Sequence, residues 1–146
     1  MLKRTAARRM LMTLGVVVLD HVERTVAVAT AGHPPVLTWS AASGAVEEVG
    51  QSALPLGALA VAEYRHQRVR VAAGDALMLY SDGLPETTGE SGEQYGFERL
   101  ERAFRAAAAA GHPARGIRDA ILRDLWEHKG DAEQVDDVTM VVVRCR

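Results

Sequence analysis

A chain of 146 residues is one domain's worth of protein, and its 48% apolar side chains are ample for a core. Seventeen Lys and Arg against nineteen Asp and Glu leave a net charge of −2, which argues against a dedicated nucleic-acid binder, since phosphate binding needs a clustered basic surface. The single cysteine, Cys145, excludes an internal disulfide and a cysteine-rich zinc site.

Leu2 to Arg9 reads as the tail of a helix that begins before Met1. Lys3, Arg4, Arg8 and Arg9 ahead of the apolar run Met10 to Leu19 have the outline of a signal peptide, but Asp20-His21-Val22-Glu23 stands where a small-residue cleavage site belongs. The run is also too short to span a bilayer. It is read as a buried strand, and the chain as a cytoplasmic domain without membrane insertion. A turn near His21-Val22-Glu23 and a strand over Arg24 to Ala31 complete a hairpin. Gly32-His33-Pro34-Pro35 ends it, because neither proline can donate to a ladder. Val36 to Trp39 and Ala45 to Val49 form a short hairpin around Ser43-Gly44, and Leu54-Pro55-Leu56-Gly57 is loop.

Tyr64 to Ala72 is a strand with Val69 and Val71 on one face and Arg68 and Arg70 on the other. Gly74-Asp75 sets the start of the bulky, apolar strand Ala76 to Tyr80, which runs straight into Ser81-Asp82-Gly83. Glu86 to Gly96 holds three glycines and two threonines and reads as a flexible loop. Phe97, Leu100, Phe104 and Ala107 recur at helical spacing, giving an amphipathic helix Phe97 to Ala110. Gly111-His112-Pro113 separates it from a second helix marked by Ile117, Ile121, Leu122 and Leu125, ending near Glu127. An acidic loop, Gly130 to Gln134, leads to a last strand, Val138 to Arg144.

The strands Val26 to Ala31, Ala76 to Tyr80 and Val138 to Val143 are apolar at almost every position, so their sheets should be covered on both faces. Two stacked, mainly antiparallel sheets with helices outside satisfy this. The chain carries helices for one outer face only.

Asp82 stands at the end of a rigid strand, followed by Gly83, which lets backbone turn sharply or come close to a ligand. Asp136 and Asp137 open the last strand; if the two strands are antiparallel neighbours, the three acids adjoin. Clustered carboxylates are the hard-oxygen set that magnesium and manganese prefer. A turn aspartate and a solvated strand start are the competing readings. Successive strand residues point to opposite faces, so only one of Asp136 and Asp137 can face the same ion. His33, in a rigid turn, either orders its loop through ring hydrogen bonds or serves as an acid or phosphate contact, the first being the ordinary role. His21, His66, His112 and His128 share no ligand spacing, and His128 near a helix C-terminus suits the dipole. Glu98, Arg99, Glu101 and Arg102 read as a solvated helix face, and Thr87 and Thr88 have no base nearby in sequence.

Ser81-Asp82-Gly83-Leu84, Asp136-Asp137-Val138-Thr139, Ala31-Gly32-His33-Pro34-Pro35 and Leu54-Pro55-Leu56-Gly57 together resemble metal-dependent serine/threonine phosphatases of the PPM type, in the bacterial branch named for stage II sporulation protein E. The resemblance covers nearly the whole chain. It implies an α+β, four-layer α/β/β/α sandwich, with Asp82 and Asp136 as metal ligands and Asp137 as a supporting hydrogen-bonder. It implies two Mn²⁺ or Mg²⁺ ions that activate a water for in-line attack on a phosphoserine or phosphothreonine, so that no catalytic side-chain nucleophile is required. Its typical substrate is a phosphorylated regulatory protein, an anti-sigma-factor antagonist. The family's first metal motif, Gly-Asp-(Val/Ile)-x-Gly-(His/Lys)-Gly, has no counterpart here. The expectation is therefore a single domain, residues 1–146, lacking N-terminal strands and helices of the family fold. Such a domain is either a phosphatase portion or a non-catalytic remnant that binds a partner or forms a homodimer through an uncovered sheet face.

Overall fold

The computed structural model describes residues 10–146, and the helix tail read over Leu2 to Arg9 lies outside them. In chain order the elements are β1 (Leu14–Asp20), β2 (Thr25–Ala31), β3 (Val36–Trp39), β4 (Val46–Val49), β5 (Gln67–Arg70), β6 (Ala76–Tyr80), α1 (Phe97–Ala109), α2 (Ala114–Lys129) and β7 (Met140–Arg144). They build a three-stranded sheet in the order β1-β2-β5 and a four-stranded sheet in the order β4-β3-β6-β7. Every pairing is antiparallel.

The first hairpin closes on Asp20, whose carboxylate accepts the backbone N–H groups of Val22 at 3.0 Å and Glu23 at 2.9 Å. Alternation along β2 then sorts the sheet. Val26 and Val28 are buried and meet Val36, Val49 and Leu77 between the two sheets. The second core lies on the other side of the four-stranded sheet, where Leu37, Trp39, Met78 and Tyr80 pack against Leu100 and Phe104 of α1 and Ile117, Ile121 and Leu125 of α2. Strand β6 thus sends Leu77 into one core and Met78 into the other, which is why its sequence is apolar throughout. Each such side chain, fully withdrawn from water, contributes roughly 1.5–3 kcal/mol.

The layer order is helices, four-stranded sheet, three-stranded sheet, in keeping with the expected α+β sandwich. Both described helices cover the same sheet. The outer face of the three-stranded sheet carries Leu14, Val16 and Val18 of β1 in the open, 43%, 44% and 58% exposed. Two-sided burial therefore holds for β6. In β2 the valines are buried and Ala27 and Ala29 only half-buried. Strand β7 is an edge strand, with Val141 53% exposed.

Several readings of the sequence are corrected. The run Met10 to Leu19 is not a buried strand: β1 begins at Leu14, and Met10, Leu11 and Met12 as well as Leu14, Val16, Val18 and Leu19 are exposed, because no described element covers that face. Strand β7 begins at Met140 rather than Val138. Strand β5 covers four residues rather than Tyr64 to Ala72. Only Thr25 to Val28 of β2 are free to pair with it, because Gln51 and Ala53 occupy the far end of β2 by accepting hydrogen bonds from Thr30 Oγ1 (2.6 Å) and Gly32 N (2.8 Å). Helix α2 runs two residues further, to Lys129, and stops where Gly130 takes φ 57°. The segment Glu86 to Gly96 is not a free loop. It folds back on itself through Gly89 N to Glu93 O (2.9 Å) and Tyr95 N to Thr87 O (2.8 Å), and Thr87 and Tyr95 are buried.

Candidate functional site

Antiparallel pairing of β6 with β7 sets Tyr80 opposite Met140, so the end of one strand lies beside the start of the other. Ser81 continues the match: its N–H donates to Thr139 O (3.0 Å), its hydroxyl donates to Asp137 O (3.0 Å), and it accepts the Thr139 N–H (2.9 Å). Gly83 comes closer still. A Cβ at that position would stand 2.4 Å from Asp137 O and 3.1 Å from its carbonyl carbon. The backbone of one acid motif is seated on the backbone of the other, and only glycine permits it.

The three carboxylates are exposed. Asp82 Oδ1 accepts the Gly83 N–H (3.1 Å), and Asp136 Oδ1 accepts the Asp137 N–H (2.7 Å), so each is oriented by the next residue's backbone. None is in an ion pair among the described residues. Two further side chains tie the segments together. Thr87 Oγ1 donates to Gly83 O (2.7 Å), and Gln134 Nε2 reaches Asp136 O (2.8 Å) and Thr87 Oγ1 (3.4 Å).

A cavity of about 440 Å³ opens beside Asp82, lined among others by Thr30, His33, Glu48 and Ser52. His33 sits in its wall with Nδ1 3.0 Å from Pro34 O, and its ring lies 3.1 Å from where a Cβ on Gly15 would stand. These contacts are those of a histidine that orders its own loop.

A second polar cluster lies where the 86–96 segment meets the helices. Arg99 of α1 makes two hydrogen bonds to Asp124 of α2, Nε to Oδ2 at 3.0 Å and Nη2 to Oδ1 at 2.8 Å. Tyr95 donates its hydroxyl to Asp124 Oδ2 (2.6 Å). His128 has Nδ1 3.0 Å from Arg99 Nη1 and Nε2 3.0 Å from Glu93 O, an arrangement that a neutral ring protonated at Nε2 satisfies. The Arg99 guanidinium holds the Asp124 carboxyl below the usual carboxylate range, against an opposing push from burial. Burial pushes the Tyr95 phenol up, and its bond to Asp124 adds to that. Arg99 is thus a helix-to-helix tie rather than part of a solvated face, and His128 is a side-chain bridge rather than a dipole partner.

The family pattern of stage II sporulation protein E (SpoIIE) matches residues 1–146. The chain belongs to the SpoIIE family. Among solved structures it is similar to the PP2C domain of SiaA from Pseudomonas aeruginosa, at 28% identity and TM-score 0.77, over 90% of this chain and 51% of that one. The RsbU and RsbW domains of a Mycobacterium tuberculosis protein match at 28% identity and TM-score 0.72, over 92% of this chain and 36% of that one. The phosphatase domain of SpoIIE from Bacillus subtilis, presoaked with Mn, shares the fold at 20% identity and TM-score 0.68, over 91% of this chain and 56% of that one. A comparison with curated proteins found no match. The chain spans about half the length of the solved SiaA and SpoIIE domains it resembles.

For this SpoIIE-family chain the donor chemistry fits a hard divalent cation, since Asp82 and Asp136 present exposed, cation-free carboxylates at adjoining strand ends. Their number stops short of a closed cage. Among the described residues no three His, Cys, Asp or Glu side chains converge as a metal site. No helix of the described residues is long and apolar enough to cross a membrane. The Thr87–Gln134 link and the Arg99 cluster were missed in the sequence because their partners lie far apart along the chain. The one signal was the placing of polar side chains beside the Gly83 and Asp136 turns.

Proposed function

We propose that this chain carries the part of a protein serine/threonine phosphatase that contributes Asp82 and Asp136 as ligands to Mn²⁺ or Mg²⁺. Asp137 and Gly83 support them, and His33 stays a wall residue. The observation that carries the reading is the seating of Gly83 on the Asp136–Asp137 backbone, which brings both acid motifs to one place. Asp82 and Asp136 would hold part of such a centre, and the chemistry a bound pair of ions would supply is activation of a water and neutralisation of charge on a transferring phosphoryl group. This chain's own groups supply carboxylates of fixed orientation and an open cavity beside Asp82 into which the phosphoprotein would reach. The substrate class is a phosphoserine or phosphothreonine on a regulatory protein, such as an anti-sigma-factor antagonist, in the cytoplasm.

Titration with Mn²⁺ tests the ligand assignment. A site in the submillimolar to millimolar range is expected, roughly the regime of sparse-carboxylate sites. Asp82→Asn and Asp136→Asn should each weaken it at least about tenfold, as loss of a direct ligand costs no less than loss of a supporting hydrogen bond. Equal binding by Asp82→Asn and the parent chain would sink the assignment.

A second reading, a partner-binding or dimerising module without catalysis, is favoured by one observation. The outer face of the three-stranded sheet holds exposed Leu14, Val16 and Val18 side by side with the small Ala27 and Ala29. Mn²⁺-independent association combined with no turnover of a phosphoserine peptide would select it.

A further inference from the structure

Thr87 and Thr30 are the buried polar side chains among the described residues, and the metal reading gives Thr87 no task. Its hydroxyl is both donor and acceptor. It donates to Gly83 O at 2.7 Å and accepts from Gln134 Nε2 at 3.4 Å. Gln134 Nε2 also donates to Asp136 O at 2.8 Å. The bonds therefore form a path from the carbonyl of the residue after Asp82, through Thr87 and Gln134, to the carbonyl of Asp136. Ser81 makes the corresponding link on the other side of Asp82, to Asp137 O and Thr139 N. The two hydroxyls straddle the acid.

The two links differ in kind. Ser81 extends the β6–β7 ladder by one step. The Thr87–Gln134 path joins two segments that no ladder joins, and among the described residues the van der Waals seating of Gly83 is the other contact that holds the Asp82 turn to the Asp136 turn on that side. An oxygen ligand set for a small hard cation tolerates little variation in spacing. Groups that hold ligand-bearing backbone in place act on metal affinity without touching the ion.

We propose that Thr87 and Gln134 are positioning residues that fix the spacing between the Asp82 and Asp136 carboxylates for a divalent cation. The proposal rests on the metal-ligand reading above. Thr87→Val removes the hydroxyl at nearly constant volume, and Thr87→Ser keeps it. Gln134 is exposed, so Gln134→Met removes the amide with little risk to folding and stands in if Thr87→Val fails to fold.

The test uses the 146-residue chain with Mn²⁺ titration followed by electron paramagnetic resonance of the free ion. Amide exchange of the metal-free protein is measured in parallel. Thr87→Val and Gln134→Met should each weaken Mn²⁺ binding about tenfold, the loss typical of removing an outer hydrogen-bond partner. Thr87→Ser should bind as the parent does. The double variant should lose no more than the worse single variant, because the two residues form one path. Without metal, both variants should speed exchange at the Gly83 and Asp137 amides together. Parent-like Mn²⁺ affinity in Thr87→Val or Gln134→Met, while Asp82→Asn is weakened, overturns the positioning role and leaves the ligand assignment standing. Parent-like affinity in Asp82→Asn overturns the ligand assignment, and the positioning role with it.

Discussion

Asp82 owes its place to the residue that follows it. With Asp137 O only 2.4 Å from where a Cβ would sit, Gly83→Ala must push the two acid turns apart. Overpacking of this kind costs about 1–3 kcal/mol, so the urea midpoint should fall and Mn²⁺ binding weaken together. A variant with parent stability would show that the turns can separate freely. The Arg99–Asp124 pair makes a different, pH-dependent prediction. The folded-state pKa of Asp124 lies below its ordinary 3.8, so its contribution is complete above that value and is lost as pH falls through the folded pKa. Asp124→Asn should cost about 1 kcal/mol near neutrality, the scale for a pair with each side chain about one-third exposed, and should flatten the loss of stability below pH 4. An acid unfolding curve identical to the parent's would remove the pair from the stability account. Of these residues, the turns that carry Asp82 and Asp136 were visible locally, as strand ends beside turn residues, whereas the choice of these two acids as ligands came from the family resemblance. Arg99 looked like surface because Asp124, one helix later, was invisible to any local pattern.

At the scale of elements, composition misled where burial overrode it. Glycines and small polar residues in Glu86 to Gly96 suggested mobility, but Tyr95 is 3% exposed, its N–H bonds to Thr87 O, and its hydroxyl bonds to Asp124. One aromatic side chain anchors the segment that eleven mostly polar residues would otherwise leave loose. Slow exchange is expected at the Tyr95 and Gly96 amides, which bond to the Thr87 and Pro85 carbonyls, and faster exchange at the exposed tip residues Glu90 and Ser91, beside which Gly92 N is tied only within its own turn, to Gly89 O. Uniformly fast exchange from Glu86 to Gly96 would restore the free-loop reading. Strands and helices were legible because their apolar periods are local, 2 for Val26 and Val28 and about 3.6 for Leu100 and Phe104. The shortening of β5 was not legible, since it depends on Gln51 and Ala53, distant in sequence, lying beside the far end of β2.

For the whole molecule the decisive asymmetry is that α1 and α2 cover one sheet and leave the other's outer face open. Valines 16 and 18 point outward in a row, and exposed apolar ground of this kind marks an interface or an aggregation site. The chain should therefore self-associate or bind hydrophobic dye, and Val16→Lys with Val18→Glu should reduce either. A dye-silent monomer would show that the face is tolerated bare. Activity belongs to this scale as well. Since the first metal motif of the family has no counterpart in the 146 residues, p-nitrophenyl phosphate hydrolysis with Mn²⁺ should be about a hundredfold or more below that of a version carrying the motif ahead of Met1. That ratio is about 2.7 kcal/mol of transition-state stabilisation. Robust Mn²⁺-dependent turnover by the chain alone, abolished by Asp82→Asn, would mean that another acid completes the site, Asp20 or Asp75 being the first to substitute. The order of strands also sets a clock. Strand β6 carries Asp82 but its partner β7 comes last, after both helices. During synthesis the Asp82 turn must wait for β7 to leave the ribosome before Ser81 finds Asp137 and Thr139. A chain cut short before Asp136 would keep most of its core and have no acid pair, so the two carboxylates proposed as ligands can adjoin only once β7 has been made.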